Sequence, residues 1–321
     1  MSAMTTPDWL PHVQFVTFDC FGTLLDWRSA MERVELRSRE DFDKLEVEAR
    51  KLQEQDQYLR YTEVLKTAIG RVRPQLRPAI IGLFADDFGR VAPFADSVRS
   101  LQLLRDVVKV GIVANCDAQH ALDASATLRM AWDVCLTAQE LRGYKPTDRA
   151  WDAVLRMGVA RSAATRDTWL HVSTSAHADL MPARARGLRT CLLRRPGGDE
   201  RATVDLTVGS LDELAGLLTA SKAGPVVLEF DSATDEGTRD RLRTWLLAER
   251  LPQMRAVPGV RSATLIERDD GTLVEHYVLG GKPDVDGYLE AFAPEHRAAV
   301  RDEFGHTVQR TMRLAQVRGR A

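Results

Sequence analysis

An aspartate at the end of an apolar strand, with a glycine turn directly behind it, is the arrangement in this chain best suited to chemistry. The stretch Val16-Thr17-Phe18-Asp19-Cys20-Phe21-Gly22-Thr23-Leu24-Leu25-Asp26-Trp27 supplies it. Val13 to Phe18 is rich in β-branched and aromatic residues, the composition of a buried parallel strand, and active sites of open α/β sheets lie beyond the carboxyl ends of such strands. Asp19 is thereby placed to act as a nucleophile. Gly22 lets the backbone turn sharply, and Thr23 sets a hydroxyl donor nearby. Asp also opens turns for purely local reasons, so the reading depends on what else the chain offers.

Three later stretches join it. Val110-Gly111-Ile112-Val113-Ala114-Asn115-Cys116-Asp117 is a strand ending in a polar loop, and Gly143-Tyr144-Lys145-Pro146 holds a lysine before a proline. Trp169-Leu170-His171-Val172-Ser173-Thr174-Ser175-Ala176-His177-Ala178-Asp179 is a strand followed by an acidic loop, continued by Pro182-Ala183-Arg184-Ala185-Arg186-Gly187-Leu188. In this order, over roughly the first two thirds of the chain, the four stretches resemble the motifs of the haloacid dehalogenase-like hydrolase superfamily. The form Asp-Cys-Phe-Gly-Thr-Leu-Leu-Asp-Trp is similar to its 2-haloacid dehalogenase (type II) branch.

The resemblance implies an aspartyl-ester mechanism. Asp19 displaces halide from the α-carbon of a 2-haloacid, and water then hydrolyses the ester at the Asp19 carboxyl carbon. Lys145 is expected to keep Asp19 ionised and aimed, Asp179 to hold Lys145 or orient a water, and Thr23 and Ser175 to bond the carboxylates. Asn115 is expected to bind substrate carboxylate, Arg50 to assist halide departure from a cap, and Cys20, Phe21 and Trp151 to line the substrate site. No metal or other cofactor is expected for this chemistry. Family phosphatases carry a second Asp two residues after the nucleophile and acidic magnesium ligands in the fourth motif. Here Phe21 and Thr174 stand at those places, so Mg2+ belongs only to the alternative of a phosphate-ester hydrolase. The chain also departs from dehalogenases, which tend to have Tyr at Phe21, Ser at Ala114, Tyr at Trp151 and Asn at Ser175. A same-fold hydrolase of another substrate, such as a phosphate ester or biosynthetic intermediate, and a catalytically decayed binding or scaffold protein therefore stay open beside the dehalogenase reading.

The elements that must position these residues alternate as a doubly wound, mostly parallel Rossmann-like α/β sheet requires. Between the first two motifs, Tyr61, Val64, Leu65, Ala68, Ile69 and Val72 keep helical spacing up to Pro74, after a charged helical stretch from Met31 to Gln57 and before a helix from Pro78 through Phe88. By resemblance this insert, about 28–92, is a helical cap over Asp19. Trp151 to Met157 reads as a helix, Trp169 to Val172, Thr190 to Leu193 and Leu206 to Val208 as strands, and Leu211 to Leu218 as a helix. Residues 1–220 are thus expected to form the hydrolase domain, with Thr219 to Pro225 as linker.

Residues 225–321 have a different rhythm: a strand at Val226 to Phe230, a helix marked by Leu242, Trp245 and Leu246, and a strand from Arg261 to Arg268. An Asp269-Asp270-Gly271 hairpin then leads into Leu273 to Leu279, a helix including Tyr288, Leu289 and Phe292, and a last strand near Val308 to Val317. This order is that of a small α+β ferredoxin-like domain, similar to dimeric α/β barrel families. It implies a homodimer and a second small-molecule pocket in which His276 and His296 are the candidate groups.

Composition fits a soluble enzyme acting on a small molecule. Lys and Arg number 44 against 46 Asp and Glu, so no basic footprint for nucleic acid and none for an acidic membrane surface appears. No apolar run approaches the ~20 residues that span a bilayer. The N-terminal Pro7, Asp8 and Pro11 differ from a signal sequence, giving a cytoplasmic expectation. Cys20, Cys116, Cys135 and Cys191 show neither zinc-ligand spacing nor a disulfide framework and are read as reduced thiols.

Overall fold

A computed structural model of the chain describes residues 7–199, 201–222 and 226–316. Contacts divide it into two compact units, Met1–Leu218 and Thr219–Ala321. The first is built on six parallel strands, β1 (Phe15–Phe18), β2 (Lys109–Ala114), β3 (Val134–Thr137), β4 (Trp169–Ser173), β5 (Arg189–Leu193) and β6 (Leu206–Val208). They stand in the order β3-β2-β1-β4-β5-β6. Helices cover both faces of such a sheet, and every residue of β1 and β4 is accordingly buried. Phe15, Val113, Trp151 and Trp169 pack on one face, and Val16, Phe18, Ile112 and Val172 on the other. β1 lies between β2 and β4, with Phe18 level with Ile112 and Val172. The chain leaves β1 in both directions across the sheet. At such a switch point a crevice opens beyond the carboxyl ends of the strands, and Asp19, Asn115 and Thr174 are the residues next past β1, β2 and β4.

Between β1 and β2 the insert folds into helices Arg39–Gln53, Tyr61–Val72 and Pro78–Asp86. Val64, Leu65, Ala68 and Ile69 form the buried face of the second, as their spacing requires. The expected helical run from Met31 to Gln57 is shorter: a 3-10 turn, Met31–Val34, ends where Glu35 turns left-handed, and the helix restarts at a capping box between Ser38 and Asp41. Asp117, from the loop after β2, caps the helix Tyr61–Val72 by accepting from Tyr61 N at 2.9 Å, Thr62 N at 3.0 Å and Thr62 Oγ1 at 2.7 Å. A carboxylate there satisfies orphan donors and meets the positive end of the helix dipole. The insert is thereby tied to the loop that carries Asn115.

Residues 219–222 were expected to be linker but continue the helix Leu211–Lys222; the rest of that stretch, 223–225, lies outside the described residues. The second unit has four antiparallel strands, β7 (Val226–Ala233), β8 (Val260–Glu267), β9 (Leu273–Leu279) and β10 (Gln309–Gln316), in the order β10-β7-β9-β8. The Asp269-Asp270-Gly271 turn joins β8 to β9, with Gly271 at φ +81°. Val317, expected in the last strand, lies outside the described residues. Where one helix was expected around Tyr288, two follow each other, Lys282–Ala291 and Ala293–Phe304, because Pro294 starts a new first turn. Among the described residues all four cysteines are free, and no helix is long and apolar enough to cross a membrane.

Candidate active site

Asp19 follows β1 directly, its N–H donating to Val172 O at 3.0 Å. Behind it Leu24 N and Leu25 N both donate to Cys20 O, at 2.8 and 3.0 Å, and Gly22 N donates to Leu25 O at 2.7 Å. Gly22 holds φ +95°, where a Cβ would also stand 3.0 Å from Trp27 Nε1. This closed turn returns Thr23 to the strand end, and its hydroxyl donates to Asp19 Oδ2 at 2.9 Å.

Lys145 comes from the loop before the helix Asp148–Ser162. Asn115 clamps its backbone, donating through Nδ2 to Lys145 O at 3.0 Å and accepting on Oδ1 from Lys145 N at 2.9 Å. The buried ammonium then meets three acceptors, Asp19 Oδ1 at 3.0 Å, Val113 O at 2.7 Å and Asp179 Oδ1 at 2.5 Å. That is one acceptor for each of its N–H groups.

Asp179 lies in a π-turn, Ala176–Leu180, that follows β4. Besides Lys145 it accepts from Ser173 Oγ at 3.0 Å and from His171 Nε2 at 3.1 Å. His171 Nδ1 meets Thr17 Oγ1 at 2.8 Å, and that hydroxyl accepts from Trp169 Nε1 at 2.7 Å. An ionised Asp179 can only accept, so the imidazole proton that faces it sits on Nε2, and the Thr17 hydroxyl, which takes the indole N–H on one lone pair, has its own proton left for Nδ1.

Burial works upward on both carboxylates, and the partners around each separate them. Burial raises Asp19 above the usual aspartate value; Lys145 counters this, and the Asp179 charge adds to the rise. Lys145 does pull Asp19 down, as expected, but burial outweighs it and leaves the net value above the ordinary one. For Asp179, burial works upward, yet the charge of Lys145 and the His171 bond bring it down to about 2. For Lys145 burial works downward, but the two carboxylates carry it above its usual range.

A cavity of about 360 Å3 opens over Asp19. Of the residues expected at the site, Asp19, Phe21, Arg50, Asn115, Lys145, Ser175 and Asp179 line it, and Thr23 is buried behind Asp19. Phe21 stacks on Phe88 with ring centroids 4.5 Å apart. Cys20 is fully buried outside the lining, its thiol pushed up by burial, so it contacts no substrate. Trp151 is likewise fully buried; its indole donates to Ala178 O at 3.1 Å and its ring meets His171 edge-on, which supports the Asp179 turn from within. Ser175 does not bond a carboxylate. It accepts from Ala178 N as the cap of the turn, and Ser173, two residues back on the same side of the strand, does the work expected of it. The Asn115 amide is engaged by the Lys145 backbone, making it a positioning residue for the lysine.

The sequence reading missed Thr17, His171 and Ser173 as supports of Asp179, and Arg28 and His177 as lining residues. A histidine in an otherwise apolar strand is the one local signal among them. Arg28 joins the cavity's sides, donating to Glu46 Oε1 at 2.7 Å and Gly197 O at 3.2 Å.

No protein-family model matches the chain, and comparison with curated proteins finds none similar. Solved structures do match. A defluorinating L-2-haloacid dehalogenase superposes with a TM-score of 0.54 at 21% identity, over 65% of this chain and 96% of that one. The L-2-haloacid dehalogenase of Xanthobacter autotrophicus with chloropropionic acid covalently bound gives 0.54 at 17% identity, over 64% and 98%. A HAD-hydrolase, YfnB from Bacillus subtilis, bound to magnesium, gives 0.53 at 16% identity, over 64% and 98%. The chain shares the α/β fold of these proteins and carries an additional small antiparallel unit.

Proposed function

We propose that this chain is a hydrolase that works through an ester at Asp19, displacing a leaving group from carbon, with a 2-haloacid or a related electrophile as substrate. The observation that carries the reading is the Lys145 ammonium at 3.0 Å from Asp19 Oδ1, beside a cavity onto which the same carboxylate opens. In the first step an Asp19 oxygen bonds to the substrate α-carbon while the carbon–halogen bond breaks and halide leaves. Arg50, which lines the cavity, is the candidate cation for the departing charge. Water then adds to the Asp19 carboxyl carbon, and cleavage of the ester bond releases a hydroxy acid and restores the carboxylate. Lys145 is placed to stabilise the negative charge that gathers on Oδ1 as water adds.

The residues present do not fit a magnesium-dependent variant. Asp179, the acid that remains in the fourth motif, is occupied by Lys145, His171 and Ser173, and Phe21 and Thr174 offer no charge. The cavity, at about 360 Å3, falls in the size range of small-molecule sites. In the second unit, the strand order β10-β7-β9-β8 with its antiparallel pairing supports a ferredoxin-like reading.

The test is a single turnover in heavy-oxygen water, followed by mass analysis of the peptide containing Asp19. Halide release from a 2-haloacid without added metal, label in the Asp19 carboxylate, and loss of both in Asp19→Asn are expected. Turnover that leaves Asp19 unlabelled would rule the ester out.

A further inference from the structure

Among the described residues of the second unit, two buried or part-buried guanidinium groups meet a single buried carboxylate. Arg250, in the turn Leu246–Arg250 after the helix Glu236–Trp245, has no exposed surface, and its Nε, Nη1 and Nη2 make no well-formed hydrogen bond, the Tyr288 hydroxyl being the neutral polar group beside it. The nearest acid it pairs with is Glu275 on β9, 3.6 Å from Nε and also fully buried. Glu275 is already engaged, since Tyr277 donates its hydroxyl to one carboxylate oxygen and Arg310 of β10 donates Nη2 to the other. Arg310 lies over the Phe230 ring at 4.3 Å, and its Nε and Nη1 are buried without partners as well. Two guanidinium groups thus share one carboxylate.

Buried polar groups are nearly always satisfied, and an unmatched buried cation calls for a further partner. The histidine nearby does not supply one. His296 lies within 3.5 Å of the Tyr288 hydroxyl; burial, then the charges of Arg250 and Arg310, lower its pKa to about 4, so it is neutral near pH 7. His276, the other candidate of this unit, points away: it is paired across the sheet with Glu229 and alternates with Glu275 and Tyr277, on the opposite face.

We infer that Arg250 and Arg310 form a binding site for the oxyanion end of a small organic molecule, a carboxylate or a phosphate. A guanidinium fork matches either group with two parallel hydrogen bonds. Around the two guanidinium groups Phe230 packs on Tyr277 and Tyr288 on His296, and Phe292, His296 and Arg310 are part-exposed. Nothing in this inference depends on the chemistry proposed for Asp19.

The test is calorimetric titration of the full chain with benzoate and, separately, with inorganic phosphate. Because Arg28 and Arg50 line the other cavity, Arg50→Met serves as the control that should leave the tail signal unchanged. Saturable binding of one probe identifies the anion class. Arg250→Met and Arg310→Met should each weaken it at least tenfold, while Glu275→Gln, which removes the competing carboxylate, should tighten it about tenfold. Circular dichroism verifies folding, and a variant that fails to fold leaves the other two to decide. Absence of saturable binding of both probes up to about 10 mM, or affinities that Arg250→Met and Glu275→Gln leave unchanged, would overturn the site.

Discussion

Each unit of the chain buries an ionic cluster, and the two are completed differently. Around Lys145, two carboxylates face one ammonium whose three N–H groups all meet acceptors, and Asp179 is bonded by Ser173 and His171 as well. Around Glu275, two guanidinium groups face one carboxylate, and five of their nitrogens make no well-formed hydrogen bond. In the first cluster the unused capacity lies on Asp19, an acceptor that opens on a cavity. In the second it lies on donors. Where a buried network stops short of satisfying itself, its unused end is the basis of each proposal: an electrophile at Asp19, an anion at Arg250.

Replacing the central cation should separate the two clusters most clearly. Lys145→Met leaves Asp19 and Asp179 buried as uncompensated like charges, and a loss of about 3–5 kcal/mol in urea unfolding at neutral pH is expected, shrinking in acid as the carboxylates protonate. Arg250→Met leaves Glu275 still paired with Arg310 and should fall within about 1 kcal/mol of the parent, or above it. Equal losses for both would show that the tail cluster is balanced after all.

Next in size is the support of Asp179. His171→Phe keeps an aromatic against Trp151 but removes the donor that fixes Asp179, and through it Lys145. A kcat loss on the order of tenfold to a hundredfold with little change in KM is expected. His171→Gln, which can still donate to the carboxylate, should recover part of it. A change in KM alone would place His171 outside the reaction.

These supports also mark the limit of what the sequence discloses. Asp19, Thr23, Lys145 and Asp179 are legible because each sits in a loop just past a strand or just before a helix, where a polar residue beside an apolar run is a local signal. Thr17, His171 and Ser173 lie inside strands, and only the pairing of β1 with β4 brings Thr17 to His171. Trp151 is misleading for the opposite reason: near Lys145 in sequence, it turns inward on the helix Asp148–Ser162. The π-turn decides between Ser173 and Ser175, since it directs the Ser175 hydroxyl to Ala178 N and Asp179 back toward the strand. Arg250, Glu275 and Arg310 come from a helical turn and two strands far apart in the chain. No spacing announces them.

The smallest effect concerns the acid limb of the reaction. In the proposed reaction Asp19 must be ionised to attack, and because burial raises it above its ordinary 3.8, kcat/KM should climb with pH through a midpoint above that value. The same shift means that ionising Asp19 costs the folded state, so this residue's contribution to stability declines as pH rises from 3.8 through its folded pKa. Asp179, lowered to about 2, stays charged throughout and loses its contribution only as pH falls from 3.8 toward 2. Thr23 tunes the limb, since its hydroxyl donates to the ionised form of Asp19. Thr23→Val keeps the shape and removes the donor, which should move the midpoint upward and leave the rate above it nearly unchanged. A limb that stays in place while the plateau falls would mean that Thr23 serves to position Asp19 and not to stabilise its charge.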